Sequence, residues 1–201
     1  VSLSVNQWNG QTTLQLMVVD ARVEGVQLYN IRGKNAPLPQ AIPLFSQLEE
    51  GEDCPAIVID RIPDDLADLK AFFQEQSLQA VYFKNELDKA YYLTGYGSRD
   101  QYAKLYKTLY QFPEFDIRHK LSQLSDYLKI PQVLLIKMIQ IFQELGFVQI
   151  ENGIMTVNKD AEKKEIASSS IYQDLVQTVK DQELMALGSV QEIYDYLTES
   201  I

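Results

Sequence analysis

Two short segments at the start of the chain alternate apolar and polar residues. Leu3 and Val5 supply apolar positions of the first segment, and Leu14 begins the second. Between them lies Asn9-Gly10, the dipeptide most typical of a two-residue hairpin turn. The pattern therefore predicts a β-hairpin over residues 1–23. Because a two-stranded hairpin alone is marginally stable in water, we expect its strands to join a sheet with upstream members or to pack on the next elements of the chain.

From residue 24 onward the period changes, because short apolar segments now alternate with helical ones. Strands separated by helices indicate right-handed crossovers in a parallel sheet. The predicted fold class is therefore α/β, with a small parallel α/β sheet domain over residues 24–111. Its strands are predicted near residues 26–31, 56–60 and 79–83, and its helices over residues 42–48, from residue 64 or 65 onward, and over residues 98–110.

After the α/β region the order of elements changes. A helical stripe begins at Ile117, residues 133–145 form a second and more apolar helix, and two short strands meet at Asn152-Gly153. Helix, turn, helix and two-stranded wing is the order of a winged-helix module. We therefore predict a winged-helix module over residues 112–158, followed by acidic C-terminal helices over residues 159–201.

Composition and charge limit the classes of protein to which the chain can belong. No segment reaches the length of about 18 apolar residues that a membrane helix needs, and the N-terminus lacks a signal-peptide pattern, so we expect a cytoplasmic protein. Cys54 is the single cysteine and His119 the single histidine, which excludes an internal disulfide and a zinc ligand set. The net charge is −10, and residues 159–201 carry 4 basic against 9 acidic groups. Because such a tail repels phosphate, any DNA contact must be local.

Few residues are candidates for catalysis. His119 lies between two cations near a predicted helix start, where a solvated side chain is the better interpretation. Asp60 ends a predicted parallel strand, the place where open α/β sheets bind ligands, and with Asp64 and Asp65 it could hold a metal ion. The alternative, which we favour, is that Pro63-Asp64-Asp65 caps the following helix and meets the positive end of its dipole. We therefore predict no catalytic residue and no metal ligand.

Residues 82–112 combine aromatic and basic side chains. Bases of single-stranded DNA stack on aromatic rings for about 1–3 kcal/mol each, while lysine and arginine contact the backbone, so this composition suits single-stranded DNA. Tyr102, Tyr106 and Tyr110 share one helix face with apolar residues, and for these three we favour a core position. The candidate DNA-binding residues are Tyr91, Tyr92, Tyr96, Arg99, Lys104 and Lys107.

The second helix of the predicted winged helix carries one cation, Lys137. A helix that reads base pairs in the DNA groove usually presents several arginines or lysines. We therefore expect this module to pack on neighbouring elements or on a partner protein rather than to read base pairs.

Five residues of the opening hairpin segment match a family pattern, and they are Asn6, Trp8, Gly10, Gln15 and Asp20. The segment resembles the closing strands of the oligonucleotide-binding barrel of RecJ exonucleases, which are specific for single-stranded DNA. The remainder of the chain is similar, in the order of its elements, to the C-terminal extension of RecJ in many Gram-positive bacteria.

The resemblance implies a parent protein that removes nucleotides from single-stranded DNA in the 5′ to 3′ direction during recombination and repair. Its catalytic domain would hold two Mn2+ or Mg2+ ions on Asp and His ligands, none of which can be carried onto this chain. The chain would then be a non-catalytic accessory region that tunes DNA binding or recruits single-strand-binding protein or a helicase. Two alternatives stay open, namely a protein-interaction module without DNA affinity and an unrelated small enzyme that uses Asp60, Asp64 and Asp65.

Overall fold

The computed structural model describes residues 2–17, 24–33, 41–49 and 51–199. Within these ranges the strands form one parallel and two antiparallel sheets, so the fold is a mixture of α and β elements. In chain order the elements are β1 (Ser2–Trp8), β2 (Gln11–Met17), β3 (Gln27–Asn30), β4 (Ala56–Arg61), α1 (Leu66–Glu75), β5 (Ala80–Glu86), α2 (Tyr91–Thr94), α3 (Arg99–Gln111), β6 (Glu114–Asp116), α4 (Ile117–Leu128), α5 (Gln132–Glu144), β7 (Val148–Glu151), β8 (Ile154–Val157), α6 (Ser170–Leu187) and α7 (Val190–Thr198).

β1 and β2 pair as antiparallel strands around a turn at Asn9 and Gly10. Both turn residues have positive φ, which a tight hairpin turn requires and which asparagine and glycine tolerate best. Residues 18–23 of the predicted hairpin segment, with Asp20 of the family pattern, lie outside the described residues. One face of the hairpin carries four exposed apolar side chains, and these are Leu3, Val5, Leu14 and Leu16.

The parallel sheet has the strand order β3-β5-β4, which confirms the predicted parallel arrangement of these strands. Side chains alternate between its two faces. On one face, Tyr29 stacks on Tyr82 with ring centroids 4.4 Å apart. The other face packs against α1 and α7, and its apolar side chains are Leu28, Ile57, Ile59, Val81 and Phe83.

The helix expected over residues 42–48 is reduced to a single 3-10 turn, Phe45–Gln47. The backbone N–H of Val58 in β4 donates to Pro43 O at 3.0 Å, and Leu44 forms a parallel bridge with Val58. The helix prediction was wrong because this segment pairs with the edge of the sheet, a long-range contact that a local period does not report.

α3, β6, α4, α5, β7 and β8 follow one another around a second core. Their strands form the antiparallel sheet β6-β8-β7. Asp116 is the N-cap of α4, and its carboxylate accepts hydrogen bonds from the N–H groups of Arg118 and His119. α5 lies at the centre of this core, and its buried side chains are Leu134, Leu135, Met138, Ile139, Ile141 and Phe142.

The two C-terminal helices connect both cores. α6 packs against α2 and α5 and contributes Leu175 and Val179 to the second core, whereas Met185 near its end joins the core of the parallel sheet. α7 packs on α1 and β3 and buries Ile193 and Leu197 in the same sheet core. The acidic end of the chain therefore completes the hydrophobic core of a sheet formed much earlier in the sequence.

One carboxylate holds the junction of α5 and α6. Glu144 accepts hydrogen bonds from the hydroxyls of Ser169 and Ser170 and from the backbone N–H groups of Ser170 and Ile171. Ser169 is fully buried, and its hydroxyl also caps α6 by accepting from Tyr172 N at 3.1 Å. The two hydroxyls, followed by the backbone donors, lower the pKa of Glu144 to about 2.

We expect Glu144→Gln to change how stability depends on pH. The folded-state pKa lies below the usual value of 4.5, so this carboxylate stabilises the fold above that pH and loses its contribution as the pH falls toward 2. The variant should be less stable at neutral pH and should lose stability less steeply below pH 4.5. The free energy of unfolding in urea, measured across this range, tests the expectation. Glu162→Gln, at an exposed position, is the control, and an identical pH profile in both variants would contradict it.

Candidate nucleic-acid interface

The three candidate tyrosines near α2 face different parts of the molecule. Tyr91 is buried in the wall of a cleft between α2, α5 and α6, and burial, followed by the charge of Asp64, raises the pKa of its hydroxyl. Tyr92 lines a separate cavity at the carboxyl ends of β3 and β5. Tyr96 is exposed and packs edge-on against Tyr172, with ring centroids 5.9 Å apart. These three rings therefore do not form one stacking surface.

The three candidate cations lie together on α3, and their side chains are exposed. Ser98 caps the start of this helix, close to Arg99. Lys104 Nζ donates to Leu128 O at 2.8 Å and so satisfies a backbone carbonyl at the end of α4. Among the described residues, Arg99 and Lys107 have no ion-pair partner within 4.0 Å, which leaves both for a phosphate group.

Helical geometry separates the three tyrosines of α3 that have the spacing i, i+4, i+8. Tyr102 is 5% exposed, its hydroxyl donates to Tyr96 O at 3.1 Å, and burial raises its pKa. Tyr106 and Tyr110 are 37% and 49% exposed. Each step of four residues turns the side chain by about 40° around the helix axis, which carries Tyr110 out of the core. The core position is therefore confirmed for Tyr102 and wrong for Tyr110.

Lys159 lies beside Tyr110 and was not among the candidates. Its Nζ is 5.7 Å from the ring centroid. The contact arises because Val157 N–H donates to Pro113 O and brings the end of β8 next to the end of α3. The two residues are far apart in sequence, so no local pattern reports their proximity. We call the resulting basic and aromatic region the α3 surface, and it consists of Arg99, Lys104, Tyr106, Lys107, Tyr110 and Lys159.

The outward side of α5 faces a cleft of about 700 Å³. α5 contributes Ile136, Lys137 and Gln140 to one wall. Carboxylates line the other walls and repel a phosphate backbone, which supports the expectation that α5 does not read base pairs. These carboxylates belong to Asp64, Asp65, Asp88, Asp174 and Asp181.

Two of the candidate metal ligands, Asp60 and Asp65, have structural hydrogen bonds. Asp60 is buried and accepts from the backbone N–H and the hydroxyl of Ser46 at 3.1 and 2.6 Å. Asp65 caps α1 by accepting from Ala67 N at 2.8 Å, which confirms the capping interpretation. His119 is exposed. In the described part of the chain, no group of three or more His, Cys, Asp or Glu side chains is placed to hold a metal ion.

Comparison with known proteins adds a family to this geometry. Residues 20–197 match a family model described as "Single-strand DNA-specific exonuclease, C terminal domain". The chain belongs to this family. The matched residues include those of both hydrophobic cores, the α3 surface and the cleft beside α5.

A curated relative agrees with this family. The chain is 24% identical over 230 residues to the single-stranded-DNA-specific exonuclease RecJ of Bacillus subtilis (strain 168), which confirms the resemblance to RecJ. The match covers 98% of this chain and 29% of the relative, so the chain spans less than a third of that protein and corresponds to its C-terminal region. No solved structure matches the chain. Among the described helices, none is both long and apolar enough to cross a membrane.

Proposed function

We propose that this chain is the non-catalytic C-terminal accessory region of a cytoplasmic 5′ to 3′ single-stranded-DNA exonuclease that acts in DNA recombination and repair. The family match over residues 20–197 carries the proposal. The name of the relative, single-stranded-DNA-specific exonuclease, supports single-stranded DNA as the substrate of the parent protein. In this role the region tunes DNA binding or recruits repair partners.

The opening hairpin is assigned to the closing strands of an upstream oligonucleotide-binding barrel. Leu3 pairs with Leu16 and Val5 pairs with Leu14, so that one face of the hairpin is a continuous apolar surface. Burying each such side chain contributes about 1.5–3 kcal/mol, which gives this face a strong tendency to be covered. Closure of a barrel covers the face and pairs the free edges of the hairpin.

The elements from β6 to β8 are assigned to the winged-helix module predicted over residues 112–158. Their order and the antiparallel sheet β6-β8-β7 support the assignment. α5 has the position of the groove-reading helix, but it carries one cation, Lys137, and faces the acidic cleft. Single-stranded DNA contacts the α3 surface, which lies beside this module and whose basic and aromatic side chains are exposed.

The Mn2+ or Mg2+ ions of the parent protein are assigned to its catalytic domain. We therefore expect the purified chain to leave a labelled single strand intact when either metal is added, as measured by gel electrophoresis. The control is Asp60→Asn, purified in the same way. Shortening of the strand that the substitution abolishes would contradict the proposal and favour a small enzyme, whereas shortening that persists identifies a contaminating nuclease.

Weak, salt-dependent binding of single-stranded DNA is expected at the α3 surface. Replacing Arg99 and Lys107 with alanine should lower affinity for all sequences alike. It should also flatten the dependence of log affinity on log salt concentration by about 0.7 for each lost phosphate contact. Fluorescence anisotropy of a labelled oligonucleotide over a range of salt concentrations measures both effects. Lys180→Ala, at an exposed position on α6, is the control, and an equal change of slope in that variant would argue against the α3 surface.

The alternative is a protein-interaction module with no DNA affinity of its own. The acidic cleft and the acidic helix α6 favour it, because both repel phosphate. Its proposed partners are single-strand-binding protein or a helicase. Salt-independent or undetectable DNA binding in the anisotropy experiment would select this alternative.

A further inference from the structure

A cavity of about 460 Å³ lies at the carboxyl ends of β3 and β5. Arg32 follows β3, Lys84 and Asn85 lie near the end of β5, and Tyr92 and Ala186 close the other sides. The carboxyl ends of parallel strands are where open α/β sheets bind ligands. The volume also falls within the range of about 300–1,000 Å³ that is usual for small-molecule sites.

The cavity is positively charged in a chain whose net charge is −10. Of its lining residues, Arg32 and Lys84 are cations and Glu86 is an acid. Lys84 Nζ lies 2.9 Å from Glu86 Oε1. Arg32 contacts neutral oxygens, and no carboxylate of the described residues lies within 4.0 Å of its guanidinium. An anionic group of a ligand would therefore meet an uncompensated positive charge at Arg32.

Three hydrogen bonds fix the guanidinium of Arg32. Its Nε donates to Asn30 Oδ1 at 3.1 Å, Nη1 to Met185 O at 3.0 Å and Nη2 to Gly188 O at 2.7 Å. A guanidinium has five N–H donors, so further donors remain for an oxyanion. Because the side chain is already ordered by α6, binding such an anion costs little additional side-chain entropy.

Asn85 and Tyr92 form the part of the cavity wall next to α6. Asn85 is buried with φ of 53°, its Nδ2 donates to Met185 O at 2.6 Å, and its Oδ1 has no hydrogen-bond partner among the described residues. The hydrogen bond from Asn85 Nδ2 therefore ties this wall of the cavity to α6. Tyr92 supplies an aromatic ring, and its backbone N–H is held by Gln182 Oε1 at 3.3 Å.

We propose that this cavity binds one nucleotide, with its phosphate at Arg32 and Lys84 and its base against the ring of Tyr92. A phosphate and an aromatic base occur together in a nucleotide, whereas inorganic phosphate uses only the two cations. A free mononucleotide and one nucleotide of a DNA strand share this chemistry. The proposal is independent of DNA binding at the α3 surface, because the cavity shares no residue with it.

Calorimetric titration of deoxyadenosine monophosphate into the 201-residue chain tests the proposal. Inorganic phosphate and deoxyadenosine are titrated separately for comparison. We expect the nucleotide to bind at least about tenfold more tightly than inorganic phosphate or deoxyadenosine. Lys84→Gln and Tyr92→Leu should each weaken nucleotide binding about tenfold, through loss of a charged contact and of a stacking contact. Lys163→Gln, at an exposed position that does not line the cavity, should leave binding unchanged.

Equal affinities for phosphate and nucleotide would overturn the proposal, as would nucleotide binding that both cavity variants leave unchanged. Arg32 is not replaced, because its contacts with α6 contribute to the fold. Should a cavity variant fail to fold, the side-chain amide signal of Asn85 in the wild-type chain decides, since nucleotide addition must shift it and an unshifted signal refutes the site. Competition by an oligodeoxyadenylate assigns the site to a DNA strand, and lack of competition assigns it to the free mononucleotide.

Discussion

Tyr102→Ala is expected to destabilise the fold by about 3–5 kcal/mol, the range for replacing a large buried aromatic side chain. The ring lies 6.0 Å from that of Phe142 and 6.1 Å from that of Tyr172, measured between centroids. It also packs against Gly97 so closely that a Cβ there would lie 2.8 Å from the ring. The hydrogen bond from its hydroxyl to Tyr96 O is lost as well. Urea unfolding followed by circular dichroism measures the change.

Tyr110→Ala is the matched control, because it removes the same side chain from the same helix at a 49% exposed position. Its cost in stability should stay near about 0.5 kcal/mol. Its effect on single-stranded DNA should be larger, about 1–3 kcal/mol of binding free energy with little change in the salt dependence. Similar destabilisation by both substitutions would show that the aromatic residues of α3 are core residues. It would favour the alternative of a protein-interaction module with no DNA affinity.

Short apolar segments predicted the parallel sheet because each strand buries one face under helices. Val81 and Phe83 in β5 alternate with Tyr82, and this alternation is visible along a single strand. The segment containing Pro43 and Leu44 gave the wrong prediction because its backbone pairs with β4. The hydrophobic period of a segment indicates which of its side chains are buried. It does not indicate which distant backbone forms hydrogen bonds with an edge strand.

The residues of the candidate site also differ in whether a local sequence pattern could predict them. Arg99 and Lys107 were predicted as DNA contacts because cations beside tyrosines form a local composition signal on one helix, and this role stays a prediction. Lys159 was missed because a backbone hydrogen bond between distant segments places it near Tyr110. The nucleotide cavity was missed for a related reason, since its walls come from the ends of two strands and from α2 and α6.

Ile193→Ala should lower the free energy of unfolding by about 2–5 kcal/mol, although the residue lies close to the end of the chain. Ile193 is fully buried and belongs to the core formed by the parallel sheet and α1. Removing most of its side chain leaves a cavity between α7 and the sheet, whose rigid neighbours relax only in part. Urea unfolding measures the loss, and Gln191→Ala, at an exposed position of α7, is the control.

Ile193→Ala should also affect the nucleotide cavity. Gly188 O, which accepts from Arg32 at 2.7 Å, lies between α6 and α7, so loosening α7 also loosens the group that orients the guanidinium. We therefore expect Ile193→Ala, still folded in the absence of denaturant, to weaken binding of deoxyadenosine monophosphate while leaving the salt dependence of DNA binding at the α3 surface unchanged. If nucleotide binding in the cavity and DNA binding at the α3 surface weaken together, the two hydrophobic cores are one cooperative unit. If stability falls and nucleotide binding does not, then Arg32 does not depend on α7 for its position.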